Sequence, residues 1–387
     1  MSAHTTRVVV IGGGYAGVIA ANHLQMRPDI QTTLVNPRPE FVERIRLHQL
    51  VTGSDDATVA YTDVLGPQVR LVVDTATRID TAARRVDLAD GDALPYDYLI
   101  YAVGSGAATP TVPGAAEFGY PIADLEQAQR LTAALGTVRP GDPICVVGGG
   151  LTGIETAAEL AERGHTVALV CGAGLGPHLS GPGRRSVARR LRTLGVGIVE
   201  GAAVTSVAAD AVTLDGGRRL PSAVTIWTAG FGVPDLATRS GLRTDAIGRL
   251  LTDETLTSID DERIVAAGDA AAPSGAPLRM SCQAAIPLGA QAANTVMARV
   301  TGKRPAAISQ AFTGQCISLG RAAGVIQLAR TDDTPLPLYL GGRAGAAVKE
   351  AVCRMTIGFL RREARNPGSY FWLKGGKRPS ADVAAAL

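Results

Sequence analysis

The stretch Val8-Val9-Val10-Ile11-Gly12-Gly13-Gly14-Tyr15-Ala16-Gly17 decides how this chain is read. Four apolar β-branched residues make a buried strand, three glycines break it, and helix-compatible residues follow. Each glycine at this spacing has its own task. Gly12 permits a tight turn, Gly14 lets the backbone approach a ligand, and Gly17 lets the helix pack closely on the strand. The helix starts with unpaired N–H groups and the positive end of its dipole facing the loop. The loop is expected to cradle a pyrophosphate, with Tyr15 and Ala16 beside it. A lone pattern of this kind is weak evidence, so the rest of the chain has to supply context.

Working outward, Ala16 to Met26 reads as a helix stopped by Pro28, and Gln31 to Val35 as a second strand. A dinucleotide-binding unit ends that strand in an acid that grips a ribose. Here the place is taken by Asn36, whose amide can still bond a ribose hydroxyl. Val69 to Val103 alternates β-rich pieces with turn signals and reads as a small meander ending in Ala102-Val103-Gly104. A second unit then appears. Ile144-Cys145-Val146-Val147-Gly148-Gly149-Gly150-Leu151-Thr152-Gly153-Ile154-Glu155 repeats strand, glycine turn and helix, the helix running to Arg163, and Thr166 to Val170 supplies the next strand. Two such units in the correct context point to two bound dinucleotides. Cys171 stands where an acid would select NADH. Arg184 and Arg185 can meet the 2′-phosphate of NADPH or simply decorate the outer face of a helix from Arg184 to Leu194. Further on, Thr228-Ala229-Gly230 ends a buried strand, and Ala267-Gly268-Asp269 ends another. Asp269 can accept hydrogen bonds from sugar-alcohol hydroxyls or cap a helix.

Composition bounds the classes. At 387 residues and 46% hydrophobic content the chain can bury a large core in two or three domains. The net charge of +3, from 38 basic and 35 acidic residues, excludes a general nucleic-acid partner. Five scattered cysteines show no zinc-like spacing, so no metal is expected, and they suit a reducing cytosol. The N-terminus leaves no room for a signal peptide, and no run approaches the roughly 18 apolar residues that span a bilayer. A cytoplasmic location is expected, at most peripheral to the inner face of a membrane.

In their order, Gly12-x-Gly14-x-x-Gly17, Ala102-x-Gly104, Gly148-x-Gly150-x-x-Gly153-x-Glu155, Ala229-Gly230 and Gly268-Asp269 resemble the two-dinucleotide flavoproteins of the pyridine nucleotide–disulfide oxidoreductase type. Within that superfamily the chain is most similar to type II NADH:quinone oxidoreductases. The resemblance covers roughly residues 7 to 330 and implies an α/β protein with two Rossmann-like domains. It places the FAD domain at 1–120 and 246–330, an inserted NAD(P) domain at 121–245, and a C-terminal segment at 331–387. It implies FAD on the first loop and Asp269, NADH or NADPH on the second loop, and Glu155 near the nicotinamide carboxamide. It further implies that hydride passes from the nicotinamide to the flavin and that electrons then pass to an acceptor. The acceptor it implies is a quinone, with a soluble electron-transfer protein, a small metabolite or a redox-sensing role as alternatives.

The departures are informative. No cysteine precedes Cys145, so the thiol relay of the disulfide reductases is excluded. Cys282 or Cys316 over the flavin, as in sulfide:quinone enzymes, is set against the ordinary reading of buried cysteines as small hydrophobes. Arg44, Arg46 and His48 lie in a charged run, Pro37 to Leu50, that either passes the flavin ring or forms a solvated helix. Ala290-Gln291 reproduces part of a quinone-branch motif, so Gln291 is expected at the ring, against its reading as an ordinary helix amide. Ala344 to Arg365 reads as a helix with Val348, Val352, Met355, Phe359 and Leu360 loosely on one side. The tail Ser369 to Lys374, followed by Lys377 and Arg378, sets aromatics beside cations. The combination suits an anionic membrane surface, a homodimer contact or a lid over the flavin.

Overall fold

The computed structural model describes residues 5–376 and residue 378. Two five-stranded parallel sheets organise it. The first runs Ile264–Ala266, Tyr98–Tyr101, Thr6–Ile11, Ile30–Asn36, Val69–Val73. The second runs Gly119–Pro121, Val224–Trp227, Pro143–Val147, Thr166–Cys171, Gly197–Glu200. In both, the strand leading into a glycine loop lies at the centre, which explains its unbroken apolar sequence: a central parallel strand is covered on both faces. Val8 to Ile11 and Ile144 to Val147 are all buried. The second sheet takes its edge strand from Gly119, just before residue 121. The meander is shorter than expected. Val69–Val73 joins the first sheet beside Ile30–Asn36, and only Ala76–Asp80, Arg85–Leu88 and Ala93–Pro95 form the antiparallel ribbon.

Five helices position the site: α1 (Tyr15–Leu24), α2 (Leu47–Thr52), α3 (Leu151–Glu162), α4 (Cys282–Val300) and α5 (Gly342–Arg365). Every residue of α1 is buried, because it lies between the first sheet and α4. A side-chain carbon at Gly289 of α4 would stand 2.2 Å from the Ala16 carbonyl oxygen, so this approach of two helices needs glycine. Gly289→Ala would push α4 off α1.

An antiparallel sheet, Gly314–Ser318, Gly324–Ala329 and Pro335–Gly341, leads into α5. The buried face of α5 is Gly345, Lys349, Cys353, Ile357, Leu360 and Ala364. The face expected from the apolar residues is a different one, since Val348 and Met355 are exposed. Burial here follows two polar anchors rather than the apolar count. One is Lys349. The other is Glu363, fully buried, whose carboxylate accepts the Gly368 and Tyr370 N–H groups and lies 2.6 Å from His23 Nδ1 of α1. That anchor turns the tail back across the molecule, where the Trp372 indole donates to the Ser309 carbonyl. Arg378 pairs with Glu254 and donates to the Ala276 carbonyl, so its charge is spent inside the protein. Lys377 lies outside the described residues.

Candidate active site

The first loop is closed by contacts only glycine allows. Gly12 has φ +103°, and a side-chain carbon there would stand 2.3 Å from the Ala102 carbonyl oxygen; at Gly17 it would stand 1.8 Å from the Gly12 carbonyl oxygen. At Gly14, the N-cap of α1, nothing lies within 4 Å of that position, so the backbone is open to a ligand there. Asn36 sits beside the loop with its amide engaged. Its Oδ1 accepts the Gly13 N–H at 3.0 Å and its Nδ2 donates to the Arg38 carbonyl. The Tyr61 hydroxyl donates to the Gly13 carbonyl at 2.8 Å. Asn36 therefore braces the loop where a ribose-gripping acid was the model for its role. Tyr15, at the start of α1, is buried edge-on to Phe41 with its hydroxyl unpartnered, and burial raises its pKa well above the ordinary value.

Asp269 ends the strand Ile264–Ala266 in a short turn. Its Oδ2 accepts the Ser105 hydroxyl at 2.7 Å, and its Oδ1 is buried with no partner. An orphaned buried acceptor costs about 1–3 kcal/mol, which a hydroxyl-bearing ligand would offset. Arg44 donates to the Ser105 hydroxyl and to the Ala123 carbonyl, and its guanidinium lies 3.8 Å from Asp269. Gly104, with φ +72°, turns the chain after Tyr98–Tyr101. The open Gly14 backbone, the free end of α1 and the unpaired Asp269 oxygen fit a dinucleotide with a polyol arm, as FAD has.

The second loop repeats the geometry. Gly148 has φ +128° against Thr228, and a side-chain carbon at Gly153 would stand 2.0 Å from the Gly148 carbonyl oxygen. Gly150 caps α3 with nothing within 4 Å, and Thr152 lies in the first turn. Here the brace is backbone: the Gly176 N–H donates to the Gly149 carbonyl at 2.8 Å. Cys171 is buried beneath Gly149, and Arg184 and Arg185 are exposed on their helix. Ala229 accepts the Trp227 indole N–H, and Gly230 turns at φ +87°.

Three buried polar side chains from distant parts of the chain meet at α3. Lys349 Nζ lies 2.9 Å from Glu155 Oε1 and donates to the Cys316 carbonyl at 3.3 Å. The Ser318 N–H donates to the same Glu155 oxygen at 2.9 Å, and His48 Nδ1 stands 3.9 Å from Oε2. Burial alone would raise the Glu155 pKa, but Lys349, His48 and the Ser318 N–H outweigh it and hold it below the ordinary value. Burial would lower that of Lys349, and Glu155 reverses this, so the ammonium stays charged. Burial pushes His48 down to about 4, leaving a neutral imidazole beside a buried ion pair.

Of the residues expected at the ring, Glu155 and His48 come together, while Arg46 and Gln291 are committed elsewhere. Arg46 is neither solvated nor free. It is buried among Glu43, Gln49, Asp55 and Glu350, with Glu350 pulled to about 2 chiefly by the Arg46 hydrogen bond. Gln291 is buried and donates its amide to the Ala306 carbonyl. Lys349 is the residue sequence reasoning missed. Its only signal is the four-residue spacing to Cys353 and Ile357 on the buried face of α5. A cavity of about 400 Å³ is lined by Lys349 together with Ser318, Arg321, Arg343, Ala346 and Glu350. Burial raises the thiol pKa of Cys282, Cys316 and Cys353, the reverse of what a reactive thiolate needs.

Comparison with known proteins identifies the family. An NADH dehydrogenase-like protein of Mycobacterium tuberculosis is 34% identical over 323 residues, 76% of this chain and 80% of that one. The type II NADH:quinone oxidoreductase of the same species is 29% identical over 345 residues, covering 78% and 74%. The sulfide:quinone oxidoreductase of Aquifex aeolicus superposes with a TM-score of 0.79 at 20% identity, over 94% of this chain and 93% of that one, and so shares the fold. The model of the pyridine nucleotide-disulphide oxidoreductase family matches residues 6–294. The chain belongs to that family and is an NAD(P)H-dependent flavoprotein oxidoreductase.

Proposed function

We propose that the chain oxidises NADH or NADPH with FAD and reduces a quinone. The observation that carries the acceptor assignment is the cavity lined by Lys349, which is paired with Glu155 on the helix of the second glycine loop. Quinone reduction takes up two electrons and two protons, and the net reaction is NADH + H⁺ + quinone → NAD⁺ + quinol. A buried ammonium lining a cavity can donate a hydrogen bond to a quinone oxygen as negative charge develops there. Glu155 keeps that ammonium charged, and neutral His48 adds no second charge directly beside the pair. Gly12, Gly14, Gly17 and Asp269 would hold FAD, and Gly148, Gly150 and Gly153 the nicotinamide dinucleotide. When bound, the flavin supplies acceptance of a hydride and release of its electrons. The similarity to a type II NADH:quinone oxidoreductase supports the same acceptor.

The exposed face of α5 and the tail that follows it support delivery from a membrane surface. Val348 and Met355 of α5 and Phe371 and Leu373 of the tail are exposed, and α5 also carries the exposed Arg343, Arg354, Arg361 and Arg362. No helix among the described residues is long and apolar enough to cross a membrane.

Anaerobic mixing of the FAD-loaded protein with NADH or NADPH should bleach the flavin, and a short-chain quinone should restore its colour. Failure of both nucleotides to bleach it would refute the oxidoreductase reading of these loops. Reoxidation by an iron–sulfur protein but by no quinone would refute the acceptor. Cosedimentation with anionic but not zwitterionic vesicles is expected, and a protein lacking residues 369–387 that binds as well as the full chain would remove the tail from that role.

A further inference from the structure

We infer that Glu200 sets the nucleotide preference, favouring NADH over NADPH. The inference rests on the second glycine loop binding a pyridine dinucleotide. In such a unit, the acid that accepts the adenosine ribose hydroxyl stands at the end of the strand after the loop helix. In this chain that place is Cys171, which is fully buried beneath Gly149 and offers no acceptor to a ribose. The neighbouring strand Gly197–Glu200 pairs with Thr166–Cys171 in register, Cys171 opposite Glu200. The missing carboxylate therefore appears at the same end of the sheet, one strand further out.

Its position is held. Glu200 Oε1 accepts the Leu175 N–H at 2.9 Å, and it would lie 3.7 Å from a side-chain carbon at Gly174. The Gly174 carbonyl oxygen in turn lies against Gly149 of the loop. The segment between carboxylate and loop is Gly172-Ala173-Gly174, which carries almost no side chain and leaves that edge clear. Glu200 is exposed at this end of the sheet, with its Oε1 held on the Leu175 N–H. The arginines that would favour a phosphate do not answer it. Arg184 and Arg185 are exposed on the helix Gly181–Thr193, and the Arg185 guanidinium folds back to the start of that helix, 3.3 Å from where a side-chain carbon at Gly181 would be. A 2′-hydroxyl can donate to Glu200. A 2′-phosphate brings about −1.5 to −2 charges toward a carboxylate and is repelled.

The test measures dissociation constants of NADH and NADPH by calorimetry on the flavin-loaded protein, beside KM for each. NADH should bind at least about tenfold tighter, the size of repulsion between exposed charges a few ångströms apart. Glu200→Gln keeps the acceptor for Leu175 and removes the charge, so the ratio should fall toward one by a gain in NADPH affinity. Glu200→Arg should reverse the preference, and added salt should narrow the wild-type ratio. An unchanged ratio in Glu200→Gln, or a wild type that prefers NADPH, overturns the assignment while leaving the oxidoreductase reading intact. Binding of neither nucleotide overturns both.

Discussion

The two glycine loops share a backbone and differ in what holds them. The first is braced by neutral side chains, Asn36 on the Gly13 N–H and Tyr61 on its carbonyl, over an all-buried helix. The second is braced by the backbone of Gly174 and Gly176, and its helix carries a buried charge, Glu155, that depends on Lys349. Removing Lys349 should therefore damage the second unit electrostatically, while steric damage at a loop glycine can fall on either.

The largest effect is expected from Lys349→Met. It leaves Glu155 buried without its cation, at a cost of about 3–5 kcal/mol, read by denaturant unfolding. Adding Glu155→Gln should recover part of the stability but not quinone reduction. If Lys349→Met unfolds like the wild type, the ion pair does not hold α5 to the nucleotide domain.

Acid should test the same region. His48 is buried and neutral with a pKa near 4, against an ordinary value of about 6.5. Between those values the unfolded chain holds a proton the folded one lacks, so stability falls as pH falls through that window and is unaffected by His48 above it. The loss reaches about 3 kcal/mol at the bottom. Glu155, held below its ordinary value, adds to the loss at lower pH. His48→Gln should flatten the limb between pH 6.5 and 4; an identical acid limb in that variant would show that other groups carry it.

Gly17→Ala and Gly153→Ala separate the loops by ligand. Each places a carbon within 2.0 Å of a carbonyl oxygen and should cost about 1–3 kcal/mol in displaced helix. Gly17→Ala should purify without flavin. Gly153→Ala should keep its flavin and lose reduction by NADH. The reverse pattern would exchange the two assignments.

These glycines were legible in the sequence because a positive φ or a sub-van der Waals approach admits one residue type. The parallel sheets were legible because central strands are apolar throughout. What escaped was decided by partners far away in the chain. Lys349 reads as one more cation on an arginine-rich helix until Glu155 is placed against it. Arg46 reads as ring-side or solvated, and its fate depends on Glu350 of α5. Gln291 falls in a plausible motif, yet its amide is taken by Ala306. Val69–Val73 has the composition of a meander strand, and only its register beside Ile30–Asn36 assigns it to the parallel sheet.

The smallest change bears most directly on the comparison between loops. Tyr61→Phe removes one hydrogen bond, 2.8 Å to the Gly13 carbonyl, and keeps the packing of a ring that is otherwise buried. The loss should be about 1 kcal/mol, a few-fold in flavin affinity. Asn36→Ala should cost slightly more, because it strips the Gly13 N–H of its acceptor and leaves the Arg38 carbonyl without its donor. Flavin release, followed by fluorescence on dilution, should therefore quicken in both variants. The dissociation constant for NADH should stay as it was, since neither side chain touches the second loop. A parallel loss of NADH affinity would mean that the loops are coupled and that side-chain bracing of the first is felt by both.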